Sequence, residues 1–271
     1  MYKILIAAST ALATLTQHTK AEERVICSVA WEVGEETPLL SDGQCDERMS
    51  SASTFKIAIS LMGFDSGILT SPDTPEWPFK ADYLDWRPEW KQSTTPEAWL
   101  KHSVVWYSQQ ITLKIGSERF EEYVNAFDYG NKDITGVPGV YDGLTYAWLR
   151  STLKISPLEQ INFLTKMLAG KLPVTETAVL QTKAIMERRE QPNGWITFGK
   201  TGSGLPTGED GQHLQGQPFG WYVGWAEKDD RQVVFARLIR FDSRPEQTPG
   251  AVARDGILEM LFTPVDPLIV D

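Results

Sequence analysis

The order of hydrophobic patterns along the chain constrains the fold more than any other feature of the sequence. Segments that alternate with a period of two lie near both ends, at residues 24–42 and from Asn193 onward, and helical patterns fill the chain between them. This order predicts an α+β fold: one antiparallel sheet built from both chain ends, flanked by helices, with an inserted all-helical subdomain. We expect the sheet part at about 22–50 and 193–271, and the helical part at about 51–192.

Start and stop signals divide the middle of the chain into helices. The segment from Ser156 to Glu159 forms a capping box with a proline at the first helical position. Gly67 and Gly116 end two other apolar runs, as glycine commonly does. The Pro- and Trp-rich residues 68–93 predict an ordered surface loop. The predicted helices cover residues 54–66, 94–115, 117–127, 156–168, 175–190 and 249–262.

Length and composition bound the class of protein. The chain has 271 residues, enough for one large domain or two small ones, and 41% of them are apolar, as in ordinary globular proteins. The net charge is −10 and the sequence pI is about 4.9, with no compensating run of Lys or Arg. This balance argues against nucleic acid or an anionic membrane surface as the main partner.

The first residues have the order of a secretory signal peptide. Lys3 precedes an apolar run, and small residues then lead to a possible cleavage after Ala21. A buried N-terminal helix is the alternative interpretation. The run is too short for a stable membrane anchor, and no later stretch is apolar enough to cross a bilayer. We expect residues 1–21 to be removed and residues 22–271 to form a single soluble domain in a Gram-negative periplasm.

The two cysteines, Cys27 and Cys45, lie in and just after a predicted hairpin. An exported chain meets an oxidising compartment, and a hairpin can bring two sulfur atoms together. We therefore favour a disulfide over two separate core residues. A metal site is not expected, because His18, His102 and His213 form no ligand spacing.

The segment "SASTFKIAISLMGFDSG" places Ser53 and Lys56 three residues apart at the start of an apolar helix, on one face and one turn apart. A serine hydroxyl becomes a good nucleophile when a base takes its proton, and a lysine can be that base only when it is not an ammonium. Alone the motif is weak, because about one S-x-x-K is expected by chance in a chain of this length. A capping serine beside a snorkelling lysine has the same pattern.

A more specific pattern, "KTGSG", ends a predicted strand at residues 200–204. Its glycines allow a ligand to approach the backbone, and Lys200 and Thr201 place a cation and a hydroxyl at the same edge. The alternative is a solvated strand end followed by a turn.

Two further short motifs complete the set: "SVV", which begins at Ser103 on the predicted middle helix, and "YGN", formed by Tyr129, Gly130 and Asn131. The order S-T-F-K, S-V-V, Y-G-N and K-T-G, across essentially the whole mature chain, resembles the class D (oxacillinase-type) serine β-lactamases. A related set marks the class A enzymes. The resemblance implies a β-lactamase/DD-peptidase-like catalytic domain that hydrolyses β-lactam antibiotics and so gives resistance.

The same resemblance assigns roles to individual residues. In class D enzymes carbon dioxide carboxylates the S-x-x-K lysine, so Lys56 is expected as N6-carboxylysine and general base for the nucleophile Ser53, with no metal or other cofactor. Burial favours this reaction, because only a neutral amine combines with carbon dioxide. Trp148, in a tryptophan-bearing loop, is expected to hold the carbamate through its indole N–H. Ser103 and Lys200 are expected to pass a proton to the departing nitrogen.

The resemblance also implies how a β-lactam is bound. Backbone N–H groups of Ser53 and Ser203 are expected to bind the oxyanion. The substrate carboxylate is expected to meet Lys200, Thr201 and an arginine, for which the family pattern favours Arg254 and leaves Arg244 as a competitor. The remaining residues expected to contact substrate are Val105 and Gly202.

Two other functions share parts of these motifs. A β-lactam sensor domain is acylated by the antibiotic and stays acylated, but such sensors are anchored by several membrane-spanning segments. A cell-wall D,D-peptidase shares S-x-x-K and K-T-G, although its usual size and the S-V-V and Y-G-N pair argue against it. The sequence does not decide between a monomer and a homodimer.

Overall fold

The structure is a computed structural model that describes residues 21–150, 152–208, 213–263, 265 and 267–269. All of the predicted signal peptide except Ala21 lies outside the described residues. The strands are β1 (Glu23–Glu32), β2 (Leu40–Gly43), β3 (Met49–Ser50), β4 (Lys154–Ile155), β5 (Glu187–Glu190), β6 (Ile196–Gly204), β7 (Phe219–Lys228) and β8 (Arg231–Phe241). The helices are α1 (Lys56–Asp65), α2 (Pro96–His102), α3 (Val105–Ile115), α4 (Ser117–Ala126), α5 (Gly143–Arg150), α6 (Pro157–Leu168), α7 (Glu176–Ile185) and α8 (Pro249–Phe262). Short 3-10 turns cover Ala52–Phe55, Pro88–Trp90 and Pro192–Gly194.

Six strands form one antiparallel sheet in the order β2-β1-β8-β7-β6-β5, and β3 pairs separately with β4. β1 and β8 are hydrogen-bonded neighbours, from Glu23 opposite Phe241 to Glu32 opposite Val233. The two ends of the chain therefore meet inside the sheet, while the helices α1 to α7 come from the chain between them. This arrangement confirms the predicted α+β architecture.

The β1–β2 hairpin brings the two cysteines together. Cys27 on β1 lies opposite Gly43 on β2, and Cys45 follows two residues later. A disulfide joins Cys27 to Cys45, with their Cα atoms 5.0 Å apart. Gly43 has a φ of 90°, and a Cβ at this position would lie 2.2 Å from the Ile26 carbonyl oxygen. The turn that delivers Cys45 to its partner therefore requires a glycine.

Three predictions about the helical part are wrong. The helix predicted over residues 94–115 is broken at Ser103, which has a left-handed φ of 57° and separates α2 from α3. The helix predicted over 175–190 ends at Ile185, because Met186 is extended and leads into the edge strand β5. Trp148 lies on the helix α5, where a loop was expected. Elsewhere the capping box at Ser156 is present at the start of α6.

The two faces of the six-stranded sheet pack against different elements. One face, with Val223 and Trp225 of β7, belongs to the large core shared with the helical part. The other face, with Tyr222 of β7 and Phe235 of β8, packs against α8. Successive side chains of a strand point to opposite faces, so one strand can serve two cores. Lys200 lies opposite Val223 and therefore faces the helical part.

The described residues contain neither a membrane-spanning helix nor a cluster of metal ligands. None of their helices has both the length and the apolar character needed to cross a bilayer. Within the same part of the chain, no group of three or more His, Cys, Asp or Glu side chains could hold a metal ion.

Candidate active site

The 3-10 turn Ala52–Phe55 presents the candidate nucleophile. Ser53 is half-buried, and its Oγ accepts a hydrogen bond of 3.1 Å from the Nζ of Lys56, the first residue of α1. The next side chain, Thr54, donates to the Ser51 carbonyl oxygen over 2.7 Å and so ties the turn to itself. The S-x-x-K spacing therefore creates a direct serine–lysine contact, with the hydroxyl near the surface and the amine in the interior.

Lys56 is a buried lysine that contacts no acidic side chain among the described residues. Its side chain is 0% exposed, and its Nζ contacts a neutral hydroxyl. Burial lowers the pKa of Lys56 well below its usual range, and the positive charges of Lys200 and Arg87 lower it further. This shift favours the neutral amine, and only a neutral amine can act as a base or as a nucleophile toward carbon dioxide.

β6 brings the K-T-G motif against the nucleophile turn. A Cβ at Gly202 would lie 3.1 Å from the Ser51 carbonyl oxygen and 3.4 Å from the Ser53 backbone nitrogen. The missing side chain thus lets the strand approach the Ser53 N–H closely. Ser203, the next residue, has its Oγ fixed by a 2.9 Å hydrogen bond from the backbone N–H of Gly250, near the start of α8.

Lys200 is the second buried cation of this region. It is 5% exposed, and its Nζ donates to the Thr201 carbonyl oxygen over 3.1 Å. Burial lowers the pKa of Lys200 to about 8, an effect that the carboxylate of Glu187 opposes and the charge of Arg87 reinforces. The side chain is therefore poised to gain or lose a proton near neutral pH.

The sequence predicts Ser103 on a helix, but the structure places it in the left-handed turn that separates α2 from α3. Its Oγ is buried and has no hydrogen-bond partner within the described part of the chain. The structure therefore joins it by no hydrogen bond to Ser53, Lys56 or Lys200. A buried hydroxyl without a partner is costly and is often completed by a ligand or a water molecule. Val105, two residues later, is 2% exposed.

Trp148 offers a second unused buried donor. Its ring is 0% exposed and lies 5.5 Å from the ring of Phe55, the residue before Lys56. Its Nε1 is buried and has no acceptor among the described residues. The buried indoles of Trp99, Trp106 and Trp221, in contrast, each donate a hydrogen bond. The indole therefore lies against the residue that precedes Lys56 and keeps a buried donor unused among the described residues.

The Y-G-N residues pack against Phe55 and hold the chain that follows α5. The Tyr129 ring packs 4.9 Å from that of Phe55, and burial raises the pKa of its phenol. Asn131 fixes the chain after α5, because its Nδ2 donates to the Thr152 carbonyl oxygen and its Oδ1 accepts from the Lys154 N–H. A Cβ at Gly130 would lie 2.1 Å from the Lys154 carbonyl oxygen. This motif holds β4 in place and makes no hydrogen bond to Ser53 or Lys56.

The two candidate arginines lie in different settings. Arg244 is exposed and lines a cleft of about 620 Å³ that also contains Ser203 and Trp86. Arg254, on α8, has a side chain that is 22% exposed and pairs with Asp255 at 2.8 Å. The cleft gives room for a small molecule beside the K-T-G strand.

Two residues that sequence reasoning missed also act on this site. Arg87 lies at the start of the 3-10 turn Pro88–Trp90, and its charge reaches both Lys56 and Lys200. Ser50 donates a hydrogen bond to the backbone of Trp148. Neither residue belongs to a motif, so only the tertiary structure reveals them.

Comparisons with known proteins show the family to which the chain belongs. The model of the penicillin binding protein transpeptidase domain matches residues 3–258. Fold and serine–lysine pair thus define a penicillin-binding, transpeptidase-type protein. β-Lactamase OXA-9 of Klebsiella pneumoniae is 43% identical over 87% of this chain and 86% of its own. β-Lactamase OXA-1 of Escherichia coli is 36% identical over 81% and 77%. The chain belongs to the class D serine β-lactamases.

Solved structures extend the likeness to three dimensions. The crystal structure of the class D β-lactamase OXA-427 is 43% identical and matches with a TM-score of 0.82 over 87% of this chain and 96% of that one. The C-terminal domain of the Bacillus licheniformis BlaR penicillin receptor matches with a TM-score of 0.72 at 27% identity, over 87% and 88%. The fold is therefore shared by enzymes and by a receptor domain.

Proposed function

We propose that this protein hydrolyses β-lactam antibiotics through an acyl-enzyme on Ser53, and so gives resistance to them. The observation that carries the proposal is the 3.1 Å contact between the Ser53 hydroxyl and the fully buried Lys56 amine. It joins a nucleophile to a group whose pKa is shifted toward a base. The relatives named β-lactamases supply the substrate class.

In this proposal acylation begins when the Ser53 Oγ attacks the lactam carbonyl carbon and its proton passes to the base carried by Lys56. The lactam C–N bond then breaks, and the departing nitrogen takes up a proton. We assign the oxyanion to the backbone N–H groups of Ser53 and Ser203. The close approach of β6 at Gly202 to the Ser53 backbone nitrogen supports this assignment, since both donors then border one small space.

We assign the transfer of that proton to Lys200 and Ser103. A pKa of about 8 makes Lys200 able to exchange a proton near neutral pH, and the Ser103 hydroxyl is a buried group with unused hydrogen-bonding capacity. Lys200 and Thr201 also face the carboxylate of the substrate in this proposal, together with Arg254.

Lys56 is proposed to carry a carboxyl group derived from carbon dioxide, which supplies an anionic base beside Ser53. The neutral, buried amine and the free Trp148 Nε1 fit such a group. The full burial of Lys56 itself favours the neutral amine that reacts.

We further propose that residues 1–21 direct export and that the mature protein acts in the periplasm. The charge, apolar run and small residues of this segment support the proposal. N-terminal sequencing of protein recovered from a periplasmic extract tests it, with Glu22 expected as the first residue.

The sensor alternative has one supporting observation, the similarity to penicillin receptors. Regulatory protein BlaR1 of Bacillus licheniformis is 30% identical over 78% of this chain, although the match spans only 32% of that protein. An enzyme and a sensor differ in deacylation, so sustained turnover separates them.

The test is the hydrolysis of a chromogenic cephalosporin, followed to many turnovers, in bicarbonate buffer and in buffer stripped of carbon dioxide. We expect sustained turnover that falls in the stripped buffer and returns with bicarbonate. A single burst equal to the enzyme concentration would identify a sensor, and release of D-alanine from a peptide would identify a peptidase. Turnover indifferent to bicarbonate would remove the carboxyl group from the mechanism.

A further inference from the structure

Ser50 forms a buried link between the main sheet and the helix that carries Trp148. It is 5% exposed and lies on β3, opposite Lys154 of β4. Its Oγ donates to the Trp148 carbonyl oxygen over 2.7 Å. Its own carbonyl oxygen accepts a 2.9 Å hydrogen bond from the indole of Trp221 on β7. One small residue therefore connects two tryptophans through its side chain and its backbone.

The Trp148 carbonyl needs this bond because of where α5 ends. The helix stops at Arg150, so the carbonyls of its last turn have no N–H partner within the helix. The Ala147 carbonyl is satisfied by the backbone N–H of Leu153. Among the described residues, the Ser50 hydroxyl donates to the Trp148 carbonyl. A buried carbonyl that loses its donor favours rearrangement of the turn that carries it.

The orientation of the Trp148 indole depends on that turn. Its ring is fixed on one side by Phe55, at 5.5 Å, and its backbone is fixed by Ser50. Its Nε1 is a buried donor for which the described residues supply no acceptor. Trp148 belongs to the end of α5 and Lys56 to α1, so a rotation of the last turn of α5 would move this N–H relative to Lys56.

We propose that Ser50 is a positioning residue for the Trp148 indole, and that it sets how readily Lys56 takes up carbon dioxide. The inference rests on the proposed carboxylation of Lys56. In that reaction the Nζ lone pair bonds to the carbon of carbon dioxide, a C=O electron pair moves onto oxygen, and one proton leaves the nitrogen for solvent. A donor held in register with the anionic product shifts this equilibrium toward it.

The test uses Ser50→Ala and a matched control, Ser60→Ala. Ser60 is also fully buried, and its Oγ donates to the Lys56 carbonyl oxygen over the same 2.7 Å. That carbonyl already has a partner within α1, so its loss of a second bond leaves the backbone in place. Ser50→Thr retains a hydroxyl and serves as the conservative rescue.

Each protein is titrated with carbon-13 bicarbonate, and the carbamate resonance of Lys56 is followed by NMR, independently of activity. For Ser50→Ala we expect half-occupancy at a bicarbonate concentration about fivefold higher, the effect of roughly one lost hydrogen bond. Ser60→Ala and Ser50→Thr are expected to titrate like the unaltered protein. Trp221→Phe removes the N–H that holds Ser50 and is expected to shift the titration in the same direction, but less.

The outcomes separate this inference from the function on which it rests. A carbamate resonance in the unaltered protein, with Ser50→Ala titrating identically, overturns the role of Ser50 and leaves the lysine chemistry standing. An equal shift in Ser60→Ala also overturns it, because general loosening would then explain the effect. Absence of the resonance in the unaltered protein overturns both. If Ser50→Ala does not fold, Trp221→Phe gives the deciding titration.

Discussion

Buried basic side chains have different partners on the two sides of the six-stranded sheet. On the α8 face, the guanidinium of Arg237 is 8% exposed and is bound by Ser28 Oγ at 2.7 Å and by Glu23 at 3.2 Å. On the face toward the helical part, Lys56 and Lys200 are as deeply buried and contact only a neutral hydroxyl and a carbonyl oxygen. Burial lowers the pKa of both lysines.

This difference separates a structural charge from functional ones. A buried cation with a carboxylate partner contributes order to the fold, and its removal leaves the partners unsatisfied. A buried amine without such a partner lowers stability, and a fold retains it where the chemistry uses it. The hydroxyl of Ser103 and the indole N–H of Trp148 are also buried without a hydrogen-bond partner among the described residues, and the proposed mechanism gives both a role.

The largest effect is expected from Ser53→Ala, which removes the nucleophile from the functional face. Turnover of a chromogenic cephalosporin should fall by about 10⁴-fold or more, because no other group can form the acyl-enzyme. Covalent labelling by penicillin, read by intact mass, should disappear. Ser66→Ala, which alters a bond of 3.2 Å to Gly63 at the far end of α1, should label normally. Labelling that persists in Ser53→Ala would remove Ser53 from its role.

The second prediction sets a functional cation against the structural one. Lys56→Met should lower kcat by about 10³-fold through loss of the base, and should leave the free energy of unfolding equal or higher, because a desolvated amine is removed. Arg237→Met should keep kcat but lower the free energy of unfolding by about 2 kcal/mol, since Ser28 and Glu23 lose their donor. Both are measured by steady-state kinetics and urea unfolding.

The opposite pattern of kcat and unfolding free energy in the two variants would contradict the contrast between the faces. A Lys56→Met protein that is much less stable than the unaltered protein would make Lys56 a structural residue. An Arg237→Met protein that loses turnover while its stability is unchanged would extend the functional region to the α8 face.

The third prediction concerns the charge of Lys200. Its pKa of about 8 means that the side chain is a cation below pH 8 and becomes neutral as the pH rises through 8. KM for a penicillin should therefore rise about tenfold between pH 7 and 9.5, as an attraction to the substrate carboxylate is lost. Bicarbonate is kept saturating throughout. Lys200→Arg stays charged and should show a flat KM, whereas a flat profile in the unaltered protein contradicts the assignment.

Sequence reasoning reached the parts of this molecule that local patterns determine. Helical periodicity placed Ser53 and Lys56 on one face, and the structure joins them at 3.1 Å. The alternating segments at the two ends predicted one sheet built from both, and in the structure β1 pairs with β8. These features depend on spacing within one element or on the order of elements, and both can be read from the chain.

The remaining features depend on tertiary contacts. No proline or glycine marks the break at Ser103, although its backbone is left-handed there. The all-charged β5, Glu187–Glu190, has no apolar alternation, and it becomes a strand because β6 offers it an edge. The charge of Arg87 reaches Lys56 and Lys200 from a distant part of the chain, and the bond from Ser50 to Trp148 also depends on the folded structure. Neither residue has a sequence signal. The free Trp148 N–H became visible only once its surroundings were known.

The smallest effect on kinetics is expected from substitution of the arginine that binds the substrate carboxylate. Arg254 belongs to α8, whose N-terminal turn contacts Ser203 through Gly250, whereas Arg244 is exposed in the cleft. A less exposed charge is screened less by water, so Arg254→Ala should raise KM about fivefold with kcat unchanged, and Arg244→Ala by a smaller factor. Steady-state kinetics with a penicillin at low ionic strength gives both values, and added salt should reduce the Arg244→Ala effect first. A larger KM increase for Arg244→Ala would confine the binding site to the cleft loop and leave α8 as a purely structural helix.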